Sequence, residues 1–165
     1  MKKLRNLTLI GFSFSLVILL SLVMPLFTIV DNATHVVTEN ITCIEFLKQM
    51  FNGGLEGDNI GLMIGICYIM LLFLSLMFFV FALLRTKRVF IYRRWLVAIT
   101  MVMLIVSVVM LVLCFIFANQ HVIYSGLIIT REYHVSLSAY LNFLLSIYIF
   151  ISVLIIGTYC VQNKK

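Results

Sequence analysis

The chain has 165 residues, of which 64% are hydrophobic and only 11% charged, against roughly a quarter charged in soluble globular domains. A net charge of +6 would suit a polyanion, but ten of the twelve Lys and Arg residues fall in three clusters, at 2–5, 85–94 and 164–165, and all six acids lie elsewhere. That distribution excludes a nucleic-acid-binding face and reads as a membrane topology signal. With one Pro and eight Gly there is little room for linkers, so a single domain over 1–165 is expected.

A basic start leads into an apolar run of 24 residues, Leu7 to Val30. A secretory signal core is about 7–15 residues long and ends at small residues, whereas this run leads into Asp31. A retained first transmembrane helix over 7–30 is therefore expected, with Pro25 close enough to its outer end for a kink or early stop to cost little. Residues 31–59 form an outer loop holding five acids against Lys48. The β-branched stretch 34–38 predicts a short strand. Thr42 followed three residues later by Glu45 predicts a capping box. Ile44, Leu47, Met50 and Phe51 then recur at helical spacing before Asn52-Gly53-Gly54, predicting an amphipathic helix over 43–51 whose apolar side caps the bundle, lies on the membrane or meets a partner.

The second span is expected at 60–84. Gly57, Gly61 and Gly65 at its entrance, four apart, predict one small-residue face for close helix packing, with self-association as a second reading. The hinge at 85–94 carries Arg85, Lys87, Arg88, Arg93 and Arg94 and no acid. With Tyr92 and Trp95 it is read as a cytoplasmic anchor that attracts anionic lipid headgroups. The third span is expected at 95–118. In the outer loop 119–134, residues 122–124 and 127–129 flank Ser125-Gly126 as two β-prone runs about a turn. The fourth span, 135–161, carries Ser138, Asn142 and Ser146 four apart, a polar stripe suited to interhelical hydrogen bonds or a small-solute path.

The fold class expected is an all-α membrane protein, a bundle of four transmembrane helices with a small extracytoplasmic cap of one short helix and short strands. Each run exceeds the ~20 residues that cross a ~30 Å hydrocarbon core. Clustered cations place both termini and the hinge in the cytoplasm. The richness in Ile, Phe, Asn and Lys with few Ala suits the plasma membrane of an AT-rich bacterium; the sequons at Asn32 and Asn40 are relevant only in a eukaryotic host.

Chemistry is thinly represented. No Asp, Glu, Lys, Arg or His lies inside any expected span, although proton relays and ion-coupled transporters hold such groups there. Cys43, Cys67, Cys114 and Cys160 form no Cys-x-x-Cys pair. They read as packing residues plus one loop thiol, with a Cys67–Cys114 contact or a Cys43 bridge to another chain as alternatives. His35, His121 and His134 match no metal-ligand spacing. No catalytic residue, cofactor or metal is expected.

A long first outer loop, a basic turn, a shorter second outer loop and both ends inside together resemble the claudin-type architecture. The resemblance covers topology alone: the first outer loop has no Trp, and Cys43 has no second cysteine beside it. It implies no functional residue. The function expected is non-enzymatic, namely binding through the outer cap as an accessory subunit of a membrane assembly or as an immunity-type protein. A protein partner or self-association is implied. The alternative is an oligomeric pore or small-solute permease lined by the Ser138–Asn142–Ser146 stripe.

Overall fold

The computed structural model describes residues 16–52, 59–84, 92–120, 123–125 and 128–162. A helix α1 is described over 16–20 and runs into a 3-10 turn, Ser21–Val23. Then come β1 (Pro25–Asp31), β2 (Val37–Thr42), α2 (Cys43–Phe51), α3 (Asn59–Leu84), α4 (Tyr92–Gln120), β3 (Ile123–Ser125), β4 (Ile128–Val135) and α5 (Leu137–Gln162). Helices α3, α4 and α5 are long and apolar enough to cross a membrane, with mean hydropathies of 2.6, 3.1 and 2.0 over Asn59–Val80, Trp95–Gln120 and Leu137–Ile155.

Helix α4 packs along both α3 and α5. The outward sides of these helices are apolar, with Phe73, Met101, Val112 and Leu144 all exposed. Their interior collects hydroxyls instead: Ser75, Thr100, Ser107, Ser146 and Ser152 are buried. Each donates to a carbonyl three or four residues back in its own helix, at 2.7–3.0 Å, so no hydroxyl among these five is desolvated without a partner. Ile18 of α1 packs with Leu71, Leu145 and Ile149 in the lower core.

The expected first span, 7–30, is corrected at its outer end. The helix stops at residue 20, and Pro25–Asp31 is a β-strand. Pro25 has no N–H to give a helix and forces the residue before it out of the α region; Met24 is extended at φ −80, ψ 150. Thr28, Ile29 and Val30 follow, β-branched residues that favour the pleated conformation. β1 is an interior strand of a four-stranded antiparallel sheet ordered β2-β1-β4-β3. The all-α expectation is corrected with it, because the cap is principally this sheet.

Two boundaries also move. The strand expected at 34–38 is at Val37–Thr42, since Asp31 organises a turn first. Its Oδ1 accepts from the N–H groups of Ala33 (2.8 Å) and Thr34 (3.2 Å), and His35 takes a positive φ of 54. In the second outer loop β4 runs to Val135, beyond the β-prone triplet at 127–129, because Phe27 to Asp31 of β1 pair residue by residue with Val135 to Arg131.

Helix α2 spans the residues expected of it. Thr42 Oγ1 accepts from Glu45 N at 3.3 Å, and Glu45 Oε2 accepts from Thr42 N at 2.8 Å, which closes the capping box. Its inward face is made by buried Cys43 and Phe46 with half-buried Leu47 and Met50, whereas Ile44 and Phe51 are 43% and 72% exposed. Above the helices an aromatic cluster joins the layers. The Phe27 ring of β1 lies 5.5 Å from Phe46, 4.9 Å from Phe117 and 6.3 Å from Tyr133, centre to centre.

Phe27→Ala should cost about 3–5 kcal/mol, the range for a buried ring, read as a lowered thermal midpoint in detergent; a loss within the ±0.5 kcal/mol of surface changes would remove Phe27 from its central place. Hydrogen bonds from the Thr42 backbone and side chain hold Glu45 below its ordinary pKa of 4.5. The contribution of the capping box to folding is therefore complete above about 4.5 and is lost as pH falls through the lower folded value. Hydrogen-exchange protection of residues 43–51 should fall in acid for the parent chain and stay flat for Glu45→Gln.

Candidate functional site in the outer cap

Among the described residues, β3 is shorter than its neighbour β4. β3 pairs with β4 only over residues 128–131, whereas β1 pairs with β4 over 131–135. Residues 132–135 of β4 lie beside the neighbouring ends of α4 and α5. The result is a groove of about 360 Å³ lined by Phe115, Ala118 and Asn119 of α4, Glu132, Tyr133, His134 and Val135 of β4, and Tyr140 of α5. That volume is within the range of small-molecule sites.

Glu132 is the groove's acid. Its Oε1 accepts from Asn32 Nδ2 at 2.8 Å, which fixes the carboxylate. Its Oε2 lies 3.8 Å from His134 Nε2, beyond hydrogen-bonding distance. Burial, and secondarily the charge of Glu39, push the Tyr133 phenol above its usual pKa. The Phe115 and Tyr140 rings meet edge to face at 6.0 Å and form the aromatic wall.

A polar junction lies beneath the sheet, where the turn after α1 meets α2, α3 and α5. Ser21 Oγ donates to the Ile18 carbonyl at 2.6 Å and shares a hydrogen bond of 2.8 Å with the Tyr68 hydroxyl. Cys43 Sγ and Ser138 Oγ are 3.3 Å apart. Ser21, Cys43, Ser138 and Asn142 are fully enclosed, and Tyr68 is 1% exposed. Burial raises the Cys43 thiol's pKa, against smaller opposing effects of the Ser138 and Tyr68 hydroxyls. This thiol is a structural group and a poor nucleophile. Tyr68 lies beside Asn142, yet neither Asn142 Nδ2 nor Oδ1 makes a hydrogen bond to another protein atom.

The residues singled out by sequence fall as follows. Ser138, Asn142 and Ser146 are all buried together, but only Ser138 bonds across elements, to Cys43 of α2 rather than to a spanning helix. Ser146 bonds to the carbonyl of Asn142 in its own helix. Gly61 and Gly65 are buried on α3; a Cβ added at Gly65 would collide with Met50 Sδ of α2. At Gly65, α3 therefore packs closely against α2. Gly57 lies outside the described residues.

The apolar side of α2 is divided: Leu47 and Met50 face the core, which corrects their assignment to a partner surface, and Ile44 and Phe51 remain outward. Of the hinge, Tyr92, Arg93 and Arg94 already belong to the first turn of α4, a correction to the loop expected through 94, and Trp95 is 63% exposed. Arg85, Lys87 and Arg88 lie outside the described residues. Among the described residues no group of three His, Cys, Asp or Glu is placed to hold a metal.

Sequence reasoning passed over Phe27, Phe46, Tyr68, Phe115 and Tyr140. Phe46 could have been found from its spacing to Cys43 and Met50. The others stand in uniformly apolar runs, where nothing local separates a residue that meets another element from one that meets lipid.

Replacing the enclosed Asn142 with the similarly sized Leu should raise stability on the order of 1–2 kcal/mol, since it removes an amide that is desolvated without a protein partner. A lower melting temperature for Asn142→Leu would show that the amide is satisfied in the folded state. No protein family, curated protein or solved structure matches the chain.

Proposed function

We propose that the chain is a non-enzymatic multi-pass membrane protein that works by binding through its outer cap, as an accessory subunit of a membrane assembly or an immunity-type protein. One observation carries this reading. Both outer loops are combined into a single sheet, sealed onto the helix ends by Phe27, Phe46, Phe117 and Tyr133. Loops that merely connect spans have no need of such a core; an ordered platform presents fixed groups to a partner. Its outer side is polar, with the row Asn40, Thr28 and His134 running across three strands.

In this reading α1 completes a four-helix bundle with α3, α4 and α5, and the packing of Ile18 against Leu71, Leu145 and Ile149 supports it. The basic clusters at both termini and the hinge support a cytoplasmic position for those regions in this reading, with a bacterial cell as the host. The pore reading has less support, because Ser138, Asn142 and Ser146 are enclosed by side chains.

A photo-crosslinker at Asn40, on the exposed strand β2, should trap one discrete species in native membranes. The same group at Met70, on the apolar outside of α3, should trap none. Identical products from both positions, or none from Asn40, would leave the binding role without a basis.

A further inference from the structure

Helix α2 has sides of three different chemistries. Cys43, Phe46 and Met50, at spacings of three and four, face the core. Ile44 and Phe51, seven residues apart and so on one flank, are exposed. Glu45 and Gln49, four apart on the opposite flank, are exposed and polar. A short helix wholly in water has no use for two such unlike flanks, whereas one lying along a boundary between hydrocarbon and water needs both.

The level at which α2 packs says what meets its apolar flank. Met50 lies against Gly65, six residues into the apolar segment Asn59–Val80 of α3 and so about 9 Å along that helix. Cys43 meets Ser138, the second residue of the apolar segment Leu137–Ile155 of α5. α2 therefore sits beside the outermost turns of the spanning helices rather than above them. Other residues turned outward at this level are apolar too: Val23 in the turn that packs on α2, Met63 in α3 and Leu137 in α5. Ile44 and Phe51 extend that apolar margin. Lys48 is exposed one turn from each of them, where its stem can cover apolar surface while its ammonium reaches a phosphate.

We propose that the Ile44–Phe51 flank of α2 inserts into the outer leaflet at the boundary between headgroups and acyl chains, with Lys48 beside a phospholipid phosphate. This rests on the reading of α3 and α5 as transmembrane helices with the sheet outside. It divides the cap between a lipid-facing flank and the polar row Asn40, Thr28 and His134, which is left for a protein partner.

The test replaces Trp95, the chain's only tryptophan, with Phe and adds one reporter by Ile44→Trp, Phe51→Trp or Gln49→Trp. Each full-length variant is reconstituted in vesicles of phosphatidylcholine and phosphatidylglycerol. Phosphatidylcholine brominated near the top of its acyl chains should quench the Ile44→Trp and Phe51→Trp variants about twofold, and more than lipid brominated near the chain ends, as suits a depth of about 5–10 Å. Aqueous iodide should quench Gln49→Trp in preference. Lys48→Glu should open the Phe51→Trp variant to iodide. Hydrogen-exchange protection of residues 43–51 shows whether each variant keeps α2; should one flank variant lose it, the other decides. Equal quenching of all three positions, by brominated lipid or by iodide, overturns the proposal. Flank reporters shielded from both quenchers are covered by a second copy of the chain and overturn it as well. Iodide access unchanged by Lys48→Glu overturns the part given to Lys48. Alkaline extraction of membranes is scored separately: a chain that leaves the membrane defeats the transmembrane reading itself, whereas one that stays but keeps both flanks in water defeats this proposal alone.

Discussion

A strand at the margin of a hydrocarbon layer must have its backbone groups hydrogen-bonded by other protein, because little water is there to satisfy them. β1 meets that constraint by lying between β2 and β4. Its first residues continue the chain directly from α1 and its turn, so the strand starts at the level of the helix ends. Pairing with β2 uses the remainder of the first outer loop, and pairing with β4 uses the second loop, about a hundred residues away. The backbone of β1 thus binds the two loops into one layer. The Phe27 side chain then fastens that layer to α2 and α4 through Phe46 and Phe117.

The inward face of α2 depends on the same arrangement. A helix of nine residues is too short to persist in water unaided. It is started by the Thr42–Glu45 capping box directly at the end of β2 and is supported from below by Cys43, Phe46 and Met50. Met50 lies against Gly65, where any larger residue would push it aside, and Cys43 meets Ser138. Strand β2, helix α2 and the entrances of α3 and α5 therefore form one continuous packing unit. Ile44 and Phe51 stand outside that unit and remain exposed.

The groove lies where β4 runs alongside the ends of α4 and α5. β4 has eight residues and β3 only three. Phe115 of α4 and Tyr140 of α5 meet edge to face there and line the groove together with Glu132 and His134. The binding role proposed for the cap is supported by the way the sheet is held.

The sequence by itself determined the features that depend on composition or near neighbours. Three uncharged apolar runs became α3, α4 and α5, because backbone groups in hydrocarbon have few alternatives to a helix. The Thr42–Glu45 signal started α2 where expected, because a capping box is satisfied within four residues. Tertiary structure decided the rest. The run 7–30 is apolar throughout, and a spanning helix and a buried strand read alike there; the choice fell to Pro25 together with partners near residue 133 that no local pattern reveals. The same limit applied to the site. Phe115 and Tyr140 looked like two more apolar positions, until the packing of α4 on α5 brought their rings together beside β4.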